Sequence, residues 1–271
     1  MNCLGKFARL CVSAALLAAG LAHAQESTPE HQSWWWSWGD GSFGINFGGI
    51  NYGNGHDRVI GSDKLVHQVR PIAGVRGIEL LGPVDVVLKQ SPTEKLTVHT
   101  DDNLTGFVET TVKDGILRIG IKEGVSFRSK HAIGATVEVP HLSSLKVLSS
   151  GDVTCADFQS DLMEITIQGS GDVRMDALRA GTVAVLIQGS GDVRLSGSAA
   201  QQGYVIEGSG DVDAAELVGR SVAVRIAGSG DADIWANESL SVDIDGSGDV
   251  TYRGKPAIKK SINGSGELKH H

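Results

Sequence analysis

From residue 145 onward, short runs of alternating apolar and polar positions are interrupted every 18 to 20 residues by nearly the same four letters. The interruption is Ser-Ser-Gly-Asp at 149, Gly-Ser-Gly-Asp at 169, 189, 208, 228 and 246, and Gly-Ser-Gly-Glu at 264. Two residues before the motif stand Val147, Ile167, Ile187, Ile206, Ile226, Ile244 and Ile262, β-branched in every copy. Four before it come Leu145, Ile165, Val185, Tyr204, Val224 and Val242, with Lys260 breaking the column in the last copy. Directly after the acid stand Val153, Val173, Val193, Val212, Ala232, Val250 and Leu268. Inward positions two apart on either side of a glycine corner predict two strands per copy. A period this short predicts a parallel β-solenoid with about 20 residues per coil. At ~4.8 Å per coil, seven coils make a rod of roughly 30 Å with each Ile directly over the next. Burying one such Ile is worth roughly 1.5–3 kcal/mol, so Ile167, Ile187, Ile206, Ile226, Ile244 and Ile262 are the expected structural backbone of the rod.

The pattern differs upstream. Within residues 66–146, IELLGPVDVVLKQ, KLTVHTDD, FVETTVKDGILRIGIKEG and ATVEVPHL predict strands joined by turns, with a hairpin at Lys113-Asp114-Gly115. Residues 25–65 have neither period. Glycine at the density of GDGSFGINFGGINYGNG costs too much entropy for a packed element, so a flexible arm is expected there. The arm carries Trp34, Trp35, Trp36 and Trp38, four of the five tryptophans. Residues 1–24 place Lys6 and Arg9 ahead of an apolar run ending in Ala22-His23-Ala24, the pattern of a cleaved secretory signal peptide. That run is too short to span a bilayer, and no later stretch is long enough. The expected organisation is therefore a signal peptide (1–24), an arm (25–65), a strand-rich segment (66–146) and the repeat solenoid (147–271).

Composition agrees with an all-β chain, with 36 glycines, 6 prolines and no sustained 3.6-residue apolar period after the signal. Loss of Lys6 and Arg9 with the signal takes the net charge from −8 to −10. A chain this acidic lacks the clustered Lys and Arg that nucleic acid or anionic lipid requires. Of three cysteines only Cys155 remains, which excludes an intrachain disulfide. Cys155 shares a column with Met175, Leu195, Ala214, Ile234 and Tyr252, so a core position is expected for it.

Four chemistries compete for Gly-Ser-Gly-Asp. A phosphate cradle needs a helix N-terminus and a lysine, whereas here the motif runs into Val and a strand. A catalytic pair needs two acids in unlike surroundings, and equivalent copies supply none. No nucleophile elbow or His-Glu-x-x-His pair occurs, and no motif calls for a cofactor. A calcium ladder is a third reading, because Asp152, Asp172, Asp192, Asp211, Asp231 and Asp249 should stack along one edge and repel. The nine-residue period of calcium-binding β-roll repeats is absent, however. The corner itself is the fourth and best-fitting reading. Glycine reaches positive φ, while Ser and Asp side chains accept bonds from turn amides. Whether the stacked carboxylates meet water or a cation stays open.

Serial GSGDV corners behind VRPIAGVRGIELLGPVDVVLKQSPTEKLTVHTDD resemble the bacterial family named putative auto-transporter adhesin, head GIN domain, over about residues 68–268. The resemblance implies a right-handed parallel β-helix in an exported, surface or periplasmic setting. It supplies no catalytic or binding residues to carry over. The expected function is a non-enzymatic adhesin-like or envelope scaffold module whose partner is a glycan or another cell-surface component. The alternative is a carbohydrate-active β-helix enzyme, for which the outward Arg174 and Arg194 beside the Asp edge are the nearest approach to a site. The tryptophans of the arm are candidates for sugar stacking, for a membrane interface, or for capping an end of the rod.

Overall fold

The computed structural model describes residues 58–271 together with the backbone of a short antiparallel pair, β1 (Asn46–Phe47) and β2 (Ile50–Asn51). Residues 1–24, where a signal peptide is expected, and Trp34, Trp35, Trp36 and Trp38 lie outside the described residues. Apart from one 3-10 turn at Thr105–Phe107, the described residues with regular structure are all in strands. No helix among them is long and apolar enough to cross a membrane.

The chain forms the expected parallel β-solenoid. Its long strands are β14 (Phe158–Ile167), β15 (Val173–Ile187), β16 (Val193–Ile206), β17 (Val212–Ile226) and β18 (Ala232–Gly246). They stack in parallel, followed by β19 (Val250–Arg253), β20 (Ala257–Gly264) and β21 (Leu268–His270). Register places Ile167, Ile187, Ile206, Ile226, Ile244 and Ile262 in one continuous column. The first five are fully buried and Ile262, in the last coil, is half-buried.

The rod starts earlier than the repeat does. β5 (Gly77–Leu80) lies parallel to β12 (Ser144–Val147), and β6 (Asp85–Gln90) lies parallel to β13 (Val153–Cys155). The corner Leu81-Gly82-Pro83-Val84-Asp85 therefore sits against Leu148–Asp152, and Ser149 Oγ donates to the Gly82 carbonyl at 2.8 Å. Between β6 and β12 the chain leaves the stack to extend both sheets. On one side β11 (Gly134–Val139) joins β6, β7 (Lys95–Asp101) joins β11, and β4 (Leu65–Arg70) ends the sheet antiparallel to β7. On the other, β9 (Ile116–Ile121) joins β5 and β8 (Val108–Lys113) ends the sheet as the predicted hairpin, with Asp114 and Gly115 at φ 53° and 80°. A separate parallel pair, β3 (Arg58–Ile60) with β10 (Ser126–Arg128), completes the fold.

Each coil has three inward runs, not the two expected. In β15 they are Val173 and Met175, then Leu178 with the half-buried Ala180, then Val183, Val185 and Ile187. Spacings of three break the alternation between runs, and Ala177 at φ 49° marks the first of these extra corners. All variation in coil length is absorbed there. Met175 pairs with Leu195 but Leu178 with Gly197, so one residue is lost in between. Ala214 pairs with Ile234 but Val218 with Trp235, so three are lost, and one is regained before Ser221 meets Ser239. The short coil also leaves Gly197 in the column of Leu178, and Gln202 and Tyr204 fill the interior beside it. Gln202 Nε2 donates to the carbonyls of Leu217 (2.9 Å) and Ala199 (3.3 Å), and Tyr204 donates its hydroxyl to Gln202 Oε1 (2.9 Å). Complete pairing is what lets these polar groups sit in an apolar core. Burial raises the Tyr204 hydroxyl well above its ordinary pKa, so it stays a donor.

The motif glycines are needed for a different reason from the expected one. Of those in the Gly-Ser-Gly corners, only Gly246 and Gly264 have φ in the left-handed region. The general requirement is steric: a Cβ on Gly189 would lie 2.1 Å from the Gly169 carbonyl oxygen, and one on Gly210 would lie 2.2 Å from that of Gly191. The serine between them contributes its backbone N–H, as Ser190 does to the Gly169 carbonyl at 3.0 Å.

Gly210→Ala should therefore cost at least about 2–3 kcal/mol, by forcing two coils apart, whereas Ser209→Ala should stay within about 0.5 kcal/mol. Urea unfolding followed by circular dichroism checks both. Ile206→Asp, which puts an unpaired charge in the fully buried column, should abolish folding, while Ile262→Asp in the half-buried last coil should not.

Candidate functional site

The acid of each corner stands just before the chain enters the next strand, and its carboxylate reaches the next coil. Asp152 Oδ1 accepts the Asp172 amide at 2.9 Å, and Asp172 Oδ1 accepts that of Asp192 at 2.8 Å. Asp192, Asp211 and Asp231 accept from Asp211, Asp231 and Asp249 at 2.8, 2.7 and 2.7 Å. Asp249 closes the series on the Glu267 amide at 2.8 Å. The ladder begins before the repeat, because Asp85 Oδ1 accepts the Asp152 amide at 3.2 Å. The return bond runs the other way: Val173 N–H donates to the Asp192 carbonyl at 2.9 Å, and the equivalent residues of later coils follow suit. The amides served lie one coil along, whereas sequence reasoning placed them in the same turn.

One carboxylate oxygen per coil is thus committed to the backbone, while the acids themselves stay at the surface. Asp152, Asp172, Asp192, Asp211 and Asp231 are exposed. At the far end Lys269 Nζ contacts Asp249 Oδ2 at 2.7 Å and Glu267 at 3.1 Å. That ammonium, followed by the Glu267 amide, holds the Asp249 carboxyl below its ordinary pKa.

A groove of about 510 Å³ runs along the ladder. Its floor is the buried Val173, Val193 and Val212, and its walls carry ladder acids together with the side chains two residues beyond them. Along the axis that second row reads Thr154, Arg174, Arg194, Asp213, Asp233 and Thr251, so the sign of charge reverses midway. Arg194 bridges to Asp213 at 3.2 Å and Arg174 to Asp176 at 3.1 Å. A smaller groove of about 260 Å³ adjoins it at the first of the extra corners and adds Glu216 and Arg253. Sequence reasoning singled out both arginines and the ladder acids; it did not pair them with Asp213 and Asp233.

A second polar centre lies near the end of β7, and no spacing in the sequence announces it. Asp101 is fully buried. It accepts from His131 Nδ1 at 2.8 Å, from Ser129 Oγ at 2.7 Å and from the Asp63 amide at 3.3 Å. His131 first, then Ser129, hold its carboxyl below the usual range. Asp63, Asp101 and His131 form a group of three ligand-type side chains close enough to hold a metal ion; the ladder acids form no such group among the described residues. Yet Lys130 already neutralises Asp63, and both Asp101 oxygens are taken. The arrangement acts as a clasp joining the Gly61–Asp63 and Ser129–His131 turns to the sheet. Cys155 is free and buried, and burial lifts its thiol to about 11, which keeps it protonated at neutral pH.

The family model described as "Putative auto-transporter adhesin, head GIN domain" matches residues 75–256. Among solved structures, a putative adhesin from Bacteroides fragilis NCTC 9343 is 25% identical with a TM-score of 0.73, over 79% of this chain and all of its own. A protein named putative lipid binding protein, from Parabacteroides distasonis ATCC 8503, is 24% identical with a TM-score of 0.68 over the same shares. A putative adhesin from Parabacteroides merdae ATCC 43184, at 22% identity and a TM-score of 0.60 over 79% of this chain and 99% of its own, again shares the fold. No curated protein matches the chain.

Asp211→Ala removes the acceptor of the Asp231 amide and should cost about 1 kcal/mol, while Asp211→Asn keeps an acceptor and should cost less than half of that. Thermal unfolding of the two variants separates them. The depressed carboxyl of Asp101 contributes stability that is fully present above the ordinary carboxylate pKa of about 4 and is lost as pH falls through its own lower value. Asp101→Asn should therefore be less stable than the parent at pH 7 and show a smaller further loss between pH 4 and pH 2, measured by urea titration at each pH.

Proposed function

Because the chain belongs to the putative auto-transporter adhesin, head GIN domain family, we propose that it is an exported, non-enzymatic, adhesin-like binding module of the cell envelope. Its contact face is the ladder groove, and its partner is a glycan or another cell-surface component. The observation that carries this reading is the fixed array in the groove. One oxygen of each ladder acid is held by the backbone, which leaves the other beside Arg174, Arg194, Asp213 and Asp233 at the spacing of the coils. Such an array offers both donors and acceptors to a polyhydroxylated ligand without ordering long side chains on binding. Export rests on the signal-type pattern of residues 1–24. The Trp-rich arm of residues 25–65, carrying Trp34, Trp35, Trp36 and Trp38, adds a sugar-stacking surface or caps the rod. An enzymatic reading needs acids in unlike surroundings, and the ladder acids repeat one hydrogen-bond pattern coil after coil.

Binding of purified protein to whole cells and to envelope polysaccharides tests the proposal. Arg174→Glu with Arg194→Glu should weaken binding at least tenfold and leave the unfolding midpoint unchanged. Undiminished binding would remove the groove as the contact face. Depolymerisation of an acidic polysaccharide that disappears in Asp172→Asn or Asp192→Asn would replace the adhesin reading with the enzymatic one. Protease shaving of intact cells should degrade a surface protein and spare a periplasmic one.

A further inference from the structure

The outer face of the N-terminal extension carries a pair of histidines that neither the ladder nor the groove uses. His67 on β4 and His99 on β7 lie directly opposite each other in the antiparallel register. Their Nδ1 atoms are 2.5 Å apart, with ring centroids at 4.7 Å and planes at 73°. The far nitrogen of His99, Nε2, is 2.8 Å from Thr136 Oγ1 on β11. When Nε2 carries the proton and gives it to that hydroxyl, Nδ1 keeps its lone pair, aimed at His67. A hydrogen bond to the outer nitrogen that fixes tautomer and ring orientation is the arrangement usual behind a metal-ligating histidine.

We propose that His67 and His99 form a cross-strand chelate for a first-row transition ion that favours nitrogen ligands, Cu²⁺ or Zn²⁺. Two imidazoles supply the protein ligands and water completes the shell. The Nδ1 atoms must part from 2.5 Å to roughly 3.3 Å to hold a tetrahedral ion at ~2.0–2.1 Å from each nitrogen. His67 is exposed and His99 only half-buried, so small side-chain rotations suffice. Burial, then His67, then Lys89 lower the pKa of His99. Hard cations are excluded by the donor set, since Ca²⁺ and Mg²⁺ take oxygen ligands. Asp101, two residues along the strand, adds no ligand because His131 and Ser129 occupy its oxygens. β4 pairs with β7, and a bound ion would add a second tie to this edge strand.

Isothermal titration of the full chain carrying His270→Ala and His271→Ala, which removes the terminal pair, tests the site with ZnCl₂, CuCl₂ and CaCl₂. One Zn²⁺ or Cu²⁺ per chain should bind and raise the unfolding temperature, and Ca²⁺ should do neither at this site. His67→Ala and His99→Ala should each weaken binding at least tenfold, and Thr136→Val about tenfold with the stoichiometry kept. Circular dichroism of the ion-free variants establishes folding, and His67→Ala, on the exposed edge, preserves the test if His99→Ala unfolds. Absence of binding to the parent, or equal affinity in His67→Ala, would overturn the proposal.

Discussion

Every other feature of this molecule depends on how closely consecutive corners approach. With a carbonyl oxygen 2.1–2.3 Å from where the next Gly-Ser-Gly glycine would carry a Cβ, no side chain is tolerated there. Two glycines per motif follow directly from the corner at 169 onward, whereas Ser149 takes the first position in the one copy that sits against Gly82-Pro83-Val84. Because the corner cannot expand, the columns flanking it stay in register, and Ile167 to Ile262 stack on one side as Val153 to Leu268 stack on the other. Insertions and deletions are driven to the two corners that can expand. The first corner makes the same point in reverse. Val84 carries a fully buried side chain, because strand ends from β9 and β11 precede it in the stack where later corners have another corner.

That close stacking also sets an electrostatic problem. Carboxylates ~5 Å apart repel by about 1 kcal/mol in water, and more where the dielectric is lower. Bonding each Oδ1 to an amide of the next coil offsets the repulsion with charge-assisted bonds and satisfies a backbone donor that a bare corner would leave unpaired. Structural duty and surface chemistry therefore fall on the same side chains. The acids that hold the coils together also line the groove, at a spacing the backbone dictates.

At the N-terminal end the constraint is different, since a parallel stack exposes unpaired strand edges. Antiparallel strands close both sheets there, β4 on one and β8 on the other. The end closed by β4 is where charged and titratable groups gather outside the ladder: the buried Asp101 clasp and the His67–His99 pair.

The chain's own letters determine the all-β solenoid, its period, the buried columns and the line of acids, because a repeat forces equivalent residues into equivalent environments. The hairpin at Asp114-Gly115 was legible for a local reason, as two adjacent positive-φ positions have a narrow residue preference. Three things needed the tertiary structure. The first coil, Gly77–Gln90, was hidden because its corner lies 67 residues before its partner and keeps only the first glycine and the acid of the motif. The additional corners were hidden because Ala177 and Gly197 share no common letter, their backbone turns being set by packing on neighbouring coils. The joining of Arg174 and Arg194 with Asp213 and Asp233, and of Asp101 with His131, came from stacking and from long-range pairing. Contacts between separate coils and strands leave no mark in local spacing; a corner that must fit against its own copy writes the same glycines into every turn.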